Sequence, residues 1–286
     1  MIKISFSAAQ KYLLSPFSYF AHYYLRLRPV QLSSALIFGS ALDTGLNSLL
    51  MDIKNEVSVN LDKAKEAFNS AFEDNPLIKY SKADLDESLL TEEDLQSDKN
   101  KSWLSLKRKG HVLIEEYHSQ VIPKLEKVLL VQHEINLKNA TGDVFTGIID
   151  FVGQIGGKLY VIDNKSSTKK YTPESANESA QLSTYHESIK NEYKLDGVAY
   201  IVLPKTVRKK KLPRIEIQII FGEANEELTD KTFKEYDEVL TGIKTGKFPC
   251  TPEKCCKEFW GCAYEGFCKS GGTDMTGLEF KKERTK

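Results

Sequence analysis

The sequence has no apolar run near the eighteen or so residues that a bilayer span requires, so no membrane segment is expected. It also lacks a prevailing charge: Lys plus Arg number 40, and Asp plus Glu number 40. That balance argues against a protein that coats nucleic acid non-specifically. It leaves room for a local basic groove, because local distribution governs phosphate binding. Residues 1–7 hold no basic region followed by an apolar block, so no secretory leader is expected and the cytoplasm is the expected compartment, the host's if the chain is phage-encoded. Internal repeats and low-complexity segments are absent. Cysteine is absent before Cys250, and all five cysteines fall between Cys250 and Cys268. Scattered structural thiols would not cluster so tightly, and in a cytoplasmic chain such a cluster reads as a metal site before it reads as disulfides.

What is present is a chain of 286 residues with 41% apolar and 28% charged content, enough for one substantial core. Apolar and aromatic residues recur at helical spacing over residues 7–27, with a break expected at Ser15-Pro16 because proline constrains the residue before it. Residues 35–51 read as a helix entered through Gly39 and Ser40, and residues 61–78 and 103–121 as two more. The acidic stretch 84–98 between them reads as a solvated loop. From Lys127 the character changes to strands at 128–137, 144–155 and 158–163, with hairpin turns at 139–142 and at Gly156-Gly157. A helix over 173–191, strands at 197–204 and 214–221, and an amphipathic helix over 226–245 follow.

This order predicts an α/β (α+β) fold, a mixed central sheet flanked by helices in one domain. Within residues 1–286 it divides into a helical part (1–125), a sheet core (126–222), and a last helix with a cysteine-rich tail (223–286).

Two strands carry the chemistry. Asp150 lies in Gly147-Ile-Ile-Asp150, and Asp163 and Lys165 lie in Val161-Ile-Asp163-Asn164-Lys165. Residues two apart on a strand share a face, so Asp163 and Lys165 point the same way, and a hairpin would bring Asp150 beside them. Two carboxylates can hold a hard Mg²⁺ or Mn²⁺ ion while leaving positions for water and phosphate. Such an ion lowers the pKa of its water and polarises a phosphoryl oxygen. An adjacent ammonium can orient the water or steady the charged transition state. The Asn164 backbone carbonyl is a further candidate ligand. Taken alone, Asp-x-Lys is common at solvated strand ends. Its surroundings are less common: Glu134 on the preceding strand, and Gln181 and Tyr185 one turn apart on the following helix.

Together, Gly-Ile-Ile-Asp150, Val-Ile-Asp163-Asn-Lys165 and Gln181-Leu-Ser-Thr-Tyr185 resemble the PD-(D/E)xK nuclease superfamily, and within it the RecB-type branch of CRISPR-associated and phage exonucleases. The N-terminal Ser7-Ala-Ala-Gln-Lys-Tyr12-Leu-Leu-Ser15-Pro16-Phe17 and the segment Ile37-Phe-Gly39-Ser40-Ala-Leu-Asp43 resemble that branch's opening motif and second helix. The resemblance implies a restriction-endonuclease-like core and a metal-dependent deoxyribonuclease, an exonuclease before an endonuclease. Its substrate would be DNA ends or single strands, in DNA recombination, repair or phage replication. By position it implies Asp150 and Asp163 as metal ligands, Lys165 serving the attacking water, Glu134 as a supporting acid, and Gln181 and Tyr185 contacting DNA or bracing the lysine. Asp43 stands where many relatives carry a metal-binding histidine; an ordinary polar helix residue is the other reading of it.

Iron–sulfur relatives clamp a [4Fe–4S] cluster with one cysteine of the opening motif and three near the C-terminus. Here Ser15 occupies the opening position. The candidate ligands are therefore Cys250, Cys255, Cys256, Cys262 and Cys268, for a [4Fe–4S] cluster or for Zn²⁺ as the alternative. Reduced thiols packed around Phe259, Trp260 and Tyr264 are the third option.

The basic turn with Lys209, Lys210 and Lys211 reads as a DNA-backbone contact or as a solvated turn. The tyrosines at 12, 19, 23 and 24 could stack bases, although helical spacing makes most of them core. The expected partner is DNA, with a helicase, annealing or recombination protein as the class of protein partner. The alternative is a catalytically inactive DNA-binding or adaptor module on the same fold, with RNA processing as a third reading.

Overall fold

The computed structural model describes residues 1–30, 34–73, 99–168, 170–205, 215–251 and 262–281, without the side chains of Ser34 and residues 99–105. The basic turn with Lys209, Lys210 and Lys211, the acidic stretch 84–98, and Cys255 and Cys256 all lie outside the described residues.

In chain order, strand β1 (Lys3–Ser5) leads into α1 (Phe6–Leu14) and α2 (Pro16–Tyr19), which continues as a π-helical turn, Phe20–Tyr24. Ser15 makes the predicted break. Its backbone N–H closes α1 onto Lys11, and its side chain accepts from the Ser18 N–H to cap α2. Then come β2 (Leu27–Pro29), α3 (Ser34–Lys54), α4 (Leu61–Glu73) and α5 (Lys99–Gln120). Gly39 and Ser40 do not open α3; they lie inside it, because its apolar stripe already begins at Ile37 and Phe38. Three strands follow: β3 (Leu125–Lys138), β4 (Val144–Ile155) and β5 (Lys158–Ser167). The helix expected over 173–191 is shorter. Pro173 opens only a 3₁₀ turn, Pro173–Ser175, and α6 (Ala180–Ile189) starts where Ser179 caps the Leu182 N–H. β6 (Gly197–Pro204), β7 (Gln218–Gly222), α7 (Glu226–Lys244), α8 (Glu265–Lys269) and β8 (Leu278–Phe280) complete the chain.

The main sheet runs β1-β4-β5-β6-β7, with β3 also paired to β4. It is mixed, as expected: β4–β5 and β6–β7 are antiparallel, whereas β1–β4 and β5–β6 are parallel. β2 and β8 form a separate antiparallel pair.

The chain divides into two compact units. The larger comprises residues 32–135 and 148–229. Its core sets Phe38, Leu42 and Leu46 of α3, Phe68 and Phe72 of α4, and Leu113 and Tyr117 of α5 against Phe151, Ile162 and Ile201 of the sheet. Gly45 is required by the closeness of this packing, since a Cβ there would come within 2.8 Å of Ile114 Cδ1. Asp52 ties α3 to α4 by accepting from Lys63 Nζ (2.6 Å) and the Asn60 N–H (3.0 Å). Strand alternation divides β5. Tyr160 and Ile162 enter the core beneath α3–α5, while Asp163 and Lys165 take the other face, toward α6.

The smaller unit comprises residues 1–31, 136–147 and 230–286. Tyr236 of α7 stacks on Phe145 with ring centroids 4.5 Å apart. The buried Asp143 carboxylate accepts from the Ile2 N–H (2.8 Å), the Thr141 hydroxyl (2.7 Å) and the Lys244 ammonium. A second small core joins Ala21, Leu27, Tyr264, Phe267 and Leu278. Within it the Tyr264 hydroxyl donates to the Leu27 carbonyl at 3.1 Å.

Candidate active site

Phe151 of β4 pairs with Ile162 of β5, which brings the preceding Asp150 beside the following Asp163. The Asn164 N–H donates to Asp150 Oδ2 at 2.9 Å, so the β4 carboxylate grips the β5 backbone. Lys165 Nζ lies 2.8 Å from Asp163 Oδ2. That oxygen is buried and receives no well-aligned hydrogen bond, so its contact with the ammonium is one of charge.

From Lys165 a polar chain runs into α6. The ammonium donates to Gln181 Oε1 (3.4 Å), and Gln181 Nε2 donates to the Tyr185 hydroxyl (3.1 Å). Tyr185 is buried, one turn beyond Gln181. Below the ammonium sits the Tyr200 ring, its centroid 5.9 Å away, and the Tyr200 hydroxyl shares a 2.6 Å hydrogen bond with Ser179, the cap of α6. The side chain of Asn164 turns to the opposite face, where its Oδ1 accepts from the buried Tyr117 hydroxyl at 3.2 Å. Glu134 is exposed on β3 and is not among the groups these contacts connect. Asp43 stands on α3 with its surface exposed, yet close enough to Asp163 for the two charges to interact.

Burial pushes the Asp150 carboxyl up to about 8; the Asp163 charge adds to this and the Asn164 N–H opposes it. Asp163 is also raised by burial, against the pull of Lys165. Asp43 is pushed up to about 6 by loss of water and by Asp163, offset in part by Lys165 and Lys205. At Lys165 burial acts downward, but the Asp163 carboxylate outweighs it and holds the group as an ammonium. Three acids therefore lie near one close ammonium, and burial together with their mutual repulsion disfavours charging all three.

Among the described residues, no three carboxylate, histidine or cysteine side chains converge as a closed metal cage. A magnesium-type ion does not need one, since it is held by one or two carboxylates and keeps several waters for substrate. Asp150 and Asp163 fit that ion: they are adjacent buried carboxylates, hard oxygen donors whose charged forms burial disfavours, with one ammonium 2.8 Å from Asp163 Oδ2.

The family model of the PD-(D/E)XK nuclease superfamily matches residues 3–269, which include every element of this site. The chain belongs to the PD-(D/E)XK nuclease superfamily. No curated protein matches it. Asp163-Asn164-Lys165 has the spacing of the D-x-K in the superfamily's name, and Asp150 stands beside it on the paired strand. Ile149 takes the place of the motif's proline and is fully buried. An isoleucine there keeps a backbone N–H that a proline would remove from the strand.

The residues that the sequence missed are Tyr117, Tyr200 and Ser179. Tyr117 occupies a buried position of α5 and carries no signal apart from its neighbours. Tyr200 was accessible to inference: it is the one residue of β6 with a hydroxyl, and it pairs in register with Asp163.

The cysteine tail belongs to the smaller unit. Cys250 and Cys268 are joined as a disulfide with Cα atoms 5.6 Å apart, which departs from their expected role as metal ligands. Cys262 is a free thiol, and its Sγ lies 3.2 Å from the Ser18 hydroxyl. Ser15, at the opening position, is buried and engaged in capping α2. Among the described residues Cys262 is the free thiol, and Cys255 and Cys256, the other candidate ligands, lie outside them.

Proposed function

We propose that this nuclease-superfamily member is a Mg²⁺- or Mn²⁺-dependent deoxyribonuclease that hydrolyses phosphodiester bonds at DNA ends or in single strands, in DNA recombination, repair or phage replication. The observation that carries the reading is the Asp150–Asp163–Lys165 set: two raised, adjacent carboxylates beside an ammonium on one sheet face. Asp150 and Asp163 would hold the metal, with Asp43 near enough to Asp163 to adjust its charge. A bound divalent ion supplies a water acidic enough to attack at neutral pH and a positive charge for the phosphate.

The chain's own groups do the rest. Lys165 supplies N–H donors and positive charge where a phosphate's negative charge grows. Gln181, braced by Tyr185, fixes the direction of that ammonium, and the Tyr200 ring supports it from below. The resemblance to end-directed exonucleases supports action at ends. An inactive adaptor has no need to keep two buried carboxylates that burial disfavours.

The test is degradation of end-labelled linear DNA in a divalent-metal titration, with wild-type protein and Asp150→Asn. Wild type is expected to release label only with Mg²⁺ or Mn²⁺ present, and Asp150→Asn to need far more metal or to remain inert. Cleavage by wild type in excess chelator would overturn the reading.

A further inference from the structure

The π turn Phe20–Tyr24 is closed by the Leu25 N–H donating to the Phe20 carbonyl at 3.1 Å, which inserts one extra residue into the helix. Such insertions recur at functional positions. Here the result is a layered aromatic surface. Tyr12 and Tyr19 are buried and form its floor. Tyr23 packs on Tyr19 (4.8 Å), and Tyr24 contacts Phe20 (5.9 Å, stacked), Tyr19 (6.3 Å) and Phe248 (5.4 Å). Phe20 stacks on Phe248 at 4.9 Å. The outermost rings remain in water: Tyr23 is 42% exposed and Tyr24 53%. Two adjacent aromatic rings held firmly from below and open above are uncommon on a surface without a ligand.

Cations lie close to them. His22, edge-on to Tyr23 with centroids 4.7 Å apart, is held below its ordinary value by burial and then by the charges of Lys11 and Lys281. Arg26, at φ 54°, turns the chain out of the π turn, and its carbonyl accepts from the Lys281 N–H at 2.8 Å, which ties the backbone at Lys281 to the turn. Lys247 precedes Phe248 and is exposed. Arg28 is spoken for, paired with Glu279.

We propose that Tyr23 and Tyr24 are a base-stacking platform for single-stranded DNA, with Lys11, Lys247 and Lys281 attracting its backbone. Every base has a π-face, so rings of this kind bind single strands with little regard to sequence, and cations supply the salt-dependent attraction. A duplex keeps its faces stacked inside and cannot use the rings. The inference deepens the nuclease reading, and rests on it for the identity of the substrate as DNA.

The test is fluorescence anisotropy of the full chain with a short labelled oligothymidylate and with a blunt duplex, in chelator so that nothing is cleaved. Tyr23→Ala/Tyr24→Ala is expected to weaken single-strand binding roughly 10- to 100-fold and to leave duplex binding unchanged. Tyr23→Phe/Tyr24→Phe keeps the rings and is expected to keep the affinity. Unchanged single-strand affinity in the alanine pair, or equal losses for both DNAs, overturns the proposal. So does a change from dimer to monomer without loss of binding, which assigns the patch to a second copy. If the alanine pair melts early, photocrosslinking of 5-iodouracil DNA to wild type decides: adducts at Tyr23 or Tyr24 support the platform, and adducts only elsewhere overturn it. Because no cleavage is involved, a chain that binds through these rings but never cuts DNA would remove the nuclease reading and leave this one standing.

Discussion

Burial holds the Asp150 carboxyl at about 8 and raises Asp163 beside it, so the metal-free site disfavours its own charges. An acid whose folded value is raised contributes stability below its unfolded value, about 4, and loses it as pH rises toward the folded one. The metal-free protein should therefore lose stability between about pH 4 and pH 8 through this pair. Asp150→Asn keeps an oxygen for the Asn164 N–H and removes the charge. In chelator at neutral pH it should melt above wild type, by roughly 2–4 °C for each kcal/mol relieved. The gap should close near pH 4. Saturating Mg²⁺ should raise wild type and leave the variant almost unmoved. A lower melting temperature for metal-free Asp150→Asn at neutral pH contradicts this. Residue scale is also where sequence reading was both strongest and most incomplete. Asp150, Asp163 and Lys165 were legible because strand spacing alone puts Asp163 and Lys165 on one face. Tyr117 was not, because an apolar-looking position gives no hint of what its hydroxyl meets across the fold, 3.2 Å from Asn164 Oδ1.

At the scale of elements, local chemistry was readable and long-range direction was not. The Ser15-Pro16 break, the Gly156-Gly157 turn and the β4 boundaries follow from neighbours in sequence, and the structure has them where expected. The parallel pairing of β5 with β6 depends on where a returning strand lands, which no local pattern encodes. The helix over 173–191 was drawn too long because Pro173 suits a first turn of either kind, and here it opens a 3₁₀ turn. The tail shows a similar limit: a dense run of cysteines does not say which of them meet, and here Cys250 meets Cys268. The Cys250–Cys268 bond closes a separation of 18 residues, and a loop of about that size is worth about 3 kcal/mol of unfolded-state restriction. The paired Cys250→Ser/Cys268→Ser variant should accordingly melt several degrees below oxidised wild type, and a peptide map without reductant should recover a linked Cys250–Cys268 fragment. Full alkylation of both cysteines in unreduced protein would contradict the bond.

At the scale of the molecule, composition excluded much and left the function to its site. No helix among the described residues is long and apolar enough to cross a membrane. The neutral total charge is compatible with a DNA enzyme because cations gather locally, as they do around His22. Each compact unit has its own core, and the whole carboxylate–lysine set lies in the larger one, on a sheet with α3–α5 on one face and Asp163 and Lys165 on the other, toward α6. The fold class was legible from the order of helices and strands, and the superfamily from three short motifs spread over the strands and the helix after them.

The central claim is that Lys165, held by Asp163 and aimed by Gln181, acts on the scissile phosphate. Single-turnover cleavage of end-labelled DNA, at saturating protein and Mg²⁺, tests it most directly. Lys165→Ala should fold, bind the DNA and cleave it about 10²–10³-fold more slowly than wild type, the usual loss for one group that stabilises developing charge. Cleavage by Lys165→Ala at the wild-type rate would contradict the account.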